Sequence, residues 1–178
     1  MRRRCVLEPV KCRYNATNLR NPWRNLSEKI KAVVGDPIQF GEFVSEQIYC
    51  DRPGAYGIAL GELGRIFVVA VGDFLALPGG GLENDETSEE GLVREFKEET
   101  GYAVRILRYV GLAGQYVYAS GEQTYYNKRC RFYQVELIGQ QEQALDKDHH
   151  ACWISVDEAI ASLEEETHRW AVTRVKER

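Results

Sequence analysis

Long apolar runs are missing from this 178-residue chain. A membrane-spanning helix needs about 20 consecutive apolar residues, and the longest uninterrupted stretch, Ile66 to Val71, has the length of a buried strand. Paired cysteines are missing as well. The five cysteines (Cys5, Cys12, Cys50, Cys130 and Cys152) are odd in number and scattered, with no Cys-x-x-Cys pair. That usage points to reduced thiols in a cytoplasmic setting. His149, His150 and Cys152 lie together, yet adjacent histidines project in different directions and no second Cys–His pair completes a four-ligand set, which argues against zinc. Internal repeats and low-complexity segments are absent too. What remains, 44% hydrophobic and 28% charged, is ordinary for a soluble globular protein. The length suffices for one domain with its own core.

The net charge of −4 conceals an asymmetry. Residues 1–32 carry nine Lys or Arg against two Glu, a net +7, while the rest holds fourteen basic and twenty-five acidic side chains, a net −11. The basic arm has no apolar core of the secretory kind, and Ser27 is its one serine, where a transit peptide is serine-rich. A solvated tail, a transit peptide and a nucleic-acid contact are the readings it admits, the tail being the simplest. Gly35-Asp36-Pro37 reads as a break. Residues 1–36 are therefore taken as a basic N-terminal extension and 37–178 as the compact domain.

Within that domain, Phe40 to Cys50 has a strand-like setting and Asp51-Arg52-Pro53-Gly54 carries a turn signal. Ala55–Leu60 and Arg65–Val71 are apolar runs joined by Gly61-Glu62-Leu63-Gly64, which predicts a hairpin. A short strand from Phe74 leads into Pro78-Gly79-Gly80-Gly81, where glycines let the backbone turn sharply and approach a ligand closely. Thr87 and Glu90 have capping-box spacing, and Gly101 stands where a helix ends, so a helix is predicted between them with Leu92, Val93 and Phe96 packed inward. Two long strands follow, over 103–119 and 125–138, with Tyr133, Val135 and Leu137 on one side. A short strand at 151–154 precedes a helix over 156–163, capped by Ser155 with Glu158 three residues on. A last helix covers 167–177. This order suits a mixed sheet with helices on both faces.

The chemistry is concentrated in residues 80–102. Glu95, Glu98 and Glu99 sit at spacings of three and four, so they share one helical face. Like charges crowded on one turn repel, and a cation between them removes that cost. An all-oxygen cluster suits a hard ion such as Mg²⁺ or Mn²⁺. Without further pattern, a solvated charged face would be the plainer account.

There is further pattern. Gly80, Glu86, Arg94, Glu95, Phe96, Glu98, Glu99, Gly101 and Tyr102 stand at the fixed intervals of the Nudix box, and the chain resembles that hydrolase family, including its MutT-like members. Only Tyr102 departs, being aromatic where an aliphatic residue is usual. The resemblance covers residues ~40 to 170 in outline and is specific at the box. It implies an α/β/α sandwich and an enzyme that hydrolyses a pyrophosphate bond in a nucleoside diphosphate linked to another moiety. It implies Glu95, Glu98 and Glu99 as metal ligands, assisted by the Gly79 carbonyl and by Glu83, with Arg94 orienting a box glutamate. The general base stays open between Glu98 and Glu95 in the box and Asp146, Asp148 and His149 on a later loop. Gly80 and Gly81 are candidate substrate contacts.

Tyr116 and Tyr118 could stack on a base, although tyrosines also simply favour strands. ADP-ribose-type relatives tend to carry a proline about fifteen residues past the box, and no proline follows Pro78 here. Coenzyme A and dinucleotide signatures are missing. A (possibly oxidised) nucleoside triphosphate is the substrate this leaves in front, with a dinucleoside polyphosphate or nucleotide sugar as alternatives. The rival from another class is a non-catalytic Nudix-fold regulator that binds nucleotide or nucleic acid, the latter through the basic arm. No membrane partner is expected, and a homodimer stays open.

Overall fold

The computed structural model describes residues 37–177 apart from 84, 141–143 and 145–147. The basic arm up to residue 36 and the base candidate Asp146 lie outside the described residues. Two sheets are present. A five-stranded mixed sheet has the order β1-β6-β7-β2-β5, and a three-stranded antiparallel sheet has the order β4-β3-β8. Its members are β1 (Ile38–Phe40), β2 (Tyr49–Ala59), β3 (Arg65–Val71), β4 (Phe74–Ala76), β5 (Gly79–Gly81), β6 (Tyr102–Ala119), β7 (Thr124–Gln140) and β8 (His149–Ser155). Among the described residues three α-helices complete it: α1 (Ser88–Thr100), α2 (Val156–Ser162) and α3 (Glu166–Lys176). None of the described helices is long and apolar enough to cross a membrane.

The five-stranded sheet lies between two apolar layers. On one face, Ala55 and Ala59 of β2 and Tyr133 and Val135 of β7 bury Leu92 and Phe96 of α1. On the other, Tyr56, Ile58, Cys130 and Phe132 meet Ala159 and Leu163 beside α2 and Ala171, Val172 and Val175 of α3. Alternation along β2 and β7 produces both layers, since successive side chains point to opposite faces. This is the α/β/α sandwich with a mixed sheet that the sequence predicts.

Four local expectations change. Asp51–Gly54 is no turn but the middle of β2, which runs unbroken in parallel with β7 from Tyr49↔Tyr125 to Ala59↔Val135. Pro53 is tolerated because its carbonyl accepts from Leu82 N–H at 3.0 Å, beyond the end of β5. The N–H it lacks would have pointed the same way, away from β7. The β2–β3 hairpin survives as a single antiparallel bridge, Leu60↔Ile66. Beyond it β3 leaves for the second sheet and pairs along its whole length with β8. Val93, expected to pack inward, is 40% exposed. Cys50 is disulfide-bonded, so the reduced state expected of the thiols does not hold there. Cys130 and Cys152 are free.

Candidate active site

Helix α1 is fixed at both ends by the residues that announced it. Thr87 Oγ1 accepts the Glu90 N–H at 3.2 Å, and the Glu90 carboxylate accepts the Thr87 N–H at 2.8 Å. The far end closes at Gly101 in the left-handed conformation, its N–H donating to Lys97 O. Phe96, fully buried, packs its ring over Gly57. With that face pinned, Glu95, Glu98 and Glu99 must emerge beside the glycine strand β5.

Two glycines make the close approach possible. Gly79 has φ of 134°, and a Cβ there would stand 2.2 Å from the Ala55 carbonyl oxygen. At Gly80 a Cβ would fall 2.6 Å from Cδ of Glu95. The glutamate therefore rests directly against the strand backbone. Glu99 is tied to the same strand, accepting the Gly79 N–H at 2.9 Å.

Arg94 organises the cluster. Its Nε and Nη2 make a two-pronged pair with Glu86 at 3.1 and 2.8 Å. Nη1 reaches Glu95 at 2.9 Å and Glu98 at 3.1 Å, and Nη2 also donates to the Gly81 carbonyl at 3.2 Å. One guanidinium thus holds three carboxylates and the loop that carries them. The bond to Arg94 keeps Glu86 below the usual carboxylate range, and the surrounding carboxylates push Arg94 upward. Glu95 moves the other way: burial raises its pKa, and neighbouring Glu98 and Glu86 add to the rise while Arg94 opposes it.

The site residues predicted from sequence are thus brought together in part. Arg94, Glu95, Glu98, Glu99, Gly79, Gly80 and Gly81 form one cluster. Glu83 joins through its backbone, donating its N–H to Glu86 at 2.6 Å, while its side chain is exposed. His149 arrives from β8, with Nε2 3.4 Å from Glu99 Oε1. Asp148, one residue earlier, is exposed. A cavity of about 370 Å³ adjoins this contact, walled by Phe67, Tyr102 and Trp153 beside Glu99 and His149. Tyr116 and Tyr118 stand apart. Tyr116 shares a row with Asn127 and Asp51, three residues along β2 from the Gly54↔Gly81 pair, or about 10 Å. Tyr118 is two residues farther still. Both belong to an aromatic group with Phe43, Tyr49 and Tyr125.

Two partners were missed among the site residues. Glu86, Arg94's main acceptor, was signalled by the box spacing. His168 reads in the sequence as a packed, hydrogen-bonded residue beside Trp170, but its partner, the Leu77 N–H next to the glycine turn, had no signal, being 91 residues away.

A family model, the NUDIX domain, matches residues 52–175. The chain belongs to the Nudix family. Its box therefore sits in the setting the family's name stands for, and the protein is a hydrolase. No curated protein sequence matches it. Solved structures with the same fold include a NUDIX hydrolase from Nitrosomonas europaea (18% identity, 71% of this chain and 89% of that one, TM-score 0.59). A MutT NUDIX hydrolase from Burkholderia pseudomallei is 20% identical over 70% of this chain and 98% of its own, with a TM-score of 0.55. An ADP-ribose pyrophosphatase from Streptococcus suis is 18% identical over 71% and 92%, with a TM-score of 0.53.

The donor set suits a hard divalent ion. Arg94 occupies one oxygen each of Glu95 and Glu98, which leaves a second oxygen on each carboxylate for a cation. Among the described residues no three His, Cys, Asp or Glu side chains form a closed metal cage. Mg²⁺ does not require one, since it keeps several waters and takes few protein carboxylates.

Proposed function

We propose that this Nudix hydrolase catalyses Mg²⁺-dependent cleavage of a pyrophosphate bond in a nucleoside diphosphate linked to another moiety, with a nucleoside triphosphate, oxidised or not, as the leading substrate. The observation that carries this is the Arg94-held set of Glu95, Glu98 and Glu99 against the Gly79–Gly81 backbone. Mg²⁺ or Mn²⁺, held by those three glutamates with the Gly79 carbonyl and Glu83 near by, would supply positive charge at the phosphate oxygens. Arg94 fixes the carboxylates in place before substrate arrives, so no reorganisation is needed during reaction. Gly80 and Gly81 let the anhydride lie close to the main chain.

A box carboxylate, Glu98 first and Glu95 second, takes the proton of the attacking water. Glu98 is the more exposed of the two, at 38% against 20% for the side chains. The alternative base, His149, is supported by its 3.4 Å approach to Glu99. In a non-catalytic regulator the three clustered glutamates would have no physical purpose. Purified protein with Mg²⁺ is to be tested against nucleoside triphosphates, oxidised forms, dinucleoside polyphosphates, nucleotide sugars and ADP-ribose, with products identified. The last belongs in the panel because one structural neighbour is an ADP-ribose pyrophosphatase. Release of nucleoside monophosphate and pyrophosphate from a triphosphate supports the reading, and absence of turnover throughout the panel rejects it.

A further inference from the structure

His168 lies on α3, 1% exposed, with its ring 4.4 Å from that of Tyr56 and 5.7 Å from that of Phe132. Packing alone would be served as well by a phenylalanine. What the imidazole adds is a nitrogen acceptor: Nδ1 takes the Leu77 N–H at 3.2 Å in a buried contact. An accepting Nδ1 is unprotonated, so the ring proton of the neutral form sits on Nε2. Nε2 is buried and makes no hydrogen bond among the described residues; Glu165 Oε2 lies 3.8 Å away and Glu165 itself pairs with Lys128. Among the described residues the bond to Leu77 is the one hydrogen bond the ring makes.

Leu77 opens the turn that delivers the glycine strand. That turn is held at three consecutive residues by three separate elements. Leu77 N–H goes to His168 on α3, the Pro78 carbonyl accepts Gly57 N–H of β2 at 2.8 Å, and Gly79 N–H goes to Glu99 on α1 at 2.9 Å. Pro78 has no N–H of its own, so the chain cannot be held there by donation. The two N–H anchors of the turn therefore end on a proposed metal ligand and on His168.

We propose that His168 is a positioning residue for the divalent-cation site: by holding Leu77 it sets the path of the Leu77–Pro78–Gly79 turn, and with it the aim of the Gly79 carbonyl and the seat of Glu99. This rests on the functional reading above, in which Gly79 and Glu99 face the cation. Outer partners of this kind act on metal affinity through the ligands they orient.

Three variants separate the acceptor from the packing. His168→Asn keeps an acceptor the same number of bonds from the backbone, His168→Gln sets it one bond farther, and His168→Leu removes it at similar bulk. Mn²⁺ binding is measured by electron paramagnetic resonance on substrate-free protein, with thermal midpoints confirming the fold. The Leu and Gln variants are expected to bind Mn²⁺ about tenfold more weakly and the Asn variant within about threefold of the parent. Folded Leu and Gln variants with parental affinity overturn the proposal, as does equal weakening in all three. Where those two variants do not fold, histidine ¹⁵N resonances of the unaltered protein decide. The His168 Nδ1 signal should move in step with Mg²⁺ occupancy, and a signal unmoved at saturation overturns the proposal. A parent protein that binds no Mn²⁺ removes the functional reading and this inference with it; parental binding with unaffected variants removes this inference alone.

Discussion

Arg94 binds Glu86 through two nitrogens but Glu95 and Glu98 through one shared nitrogen. Glu86 is thereby committed to structure, whereas Glu98 keeps an oxygen for chemistry. Glu98→Gln, which removes charge at nearly constant volume, should cut kcat by ~10²-fold with the fold intact. A steady-state rate near the parent's would take Glu98 out of the reaction. His149→Ala tests the rival base: the rate should fall less than about tenfold and the acid limb of the pH profile should persist. A thousandfold loss would hand the role to His149.

His168 allows a prediction of sign. Burial lowers its pKa from the ordinary 6.5 to about 4, against the pull of Glu165 and with a small push from Lys128. As pH falls below 6.5 the unfolded chain takes up this proton before the folded one does. Stability from His168 is thus complete above about pH 6.5 and fades toward pH 4, on the order of 3 kcal/mol over the interval. Urea midpoints at pH 7 and 4.5 should separate more for the parent than for His168→Asn, which cannot titrate there. Equal separation would contradict the assignment.

At the scale of elements, β5 and α1 work as a pair, and two glycine substitutions probe them differently. Gly79→Ala places a methyl 2.2 Å from the Ala55 carbonyl at φ of 134°, a backbone clash that no side-chain movement relieves. It should lower the thermal midpoint sharply. Gly80→Ala meets the Glu95 carboxyl first, the movable end of a side chain, so it should fold and lose activity as that carboxylate is displaced. A fully active Gly80→Ala protein would show that Glu95 need not rest on the strand. Much of this pair was legible in the sequence. The three-and-four spacing of the glutamates, the Thr87–Glu90 cap and Gly101 are local signals, and local signals decide a helix. Less legible was β2, where Asp51-Arg52-Pro53-Gly54 has turn chemistry but eleven residues of pairing with β7 override it. The departure of β3 to pair with β8 and the His168–Leu77 bond were invisible for the same reason, since both depend on how distant segments pack. Tyr116 and Tyr118 look alike in sequence whether they face a ligand or one another, and the fold places them with Phe43, Tyr49 and Tyr125.

For the whole molecule, every candidate for chemistry lies after Pro78, and the basic arm carries no motif. Removing residues 1–36 should leave kcat/KM within a few-fold; a larger loss would show that the arm shapes the site or an assembly. If the arm instead contacts nucleic acid, oligonucleotide binding should weaken steeply with salt and vanish on its removal. The central claim is that a divalent ion held by Glu95, Glu98 and Glu99 enables pyrophosphate cleavage. The most direct test is the hydrolysis rate of the best substrate after exhaustive chelation and again after Mg²⁺ is restored. The account predicts loss of turnover on chelation and its recovery with Mg²⁺; turnover that survives removal of every divalent ion would contradict it.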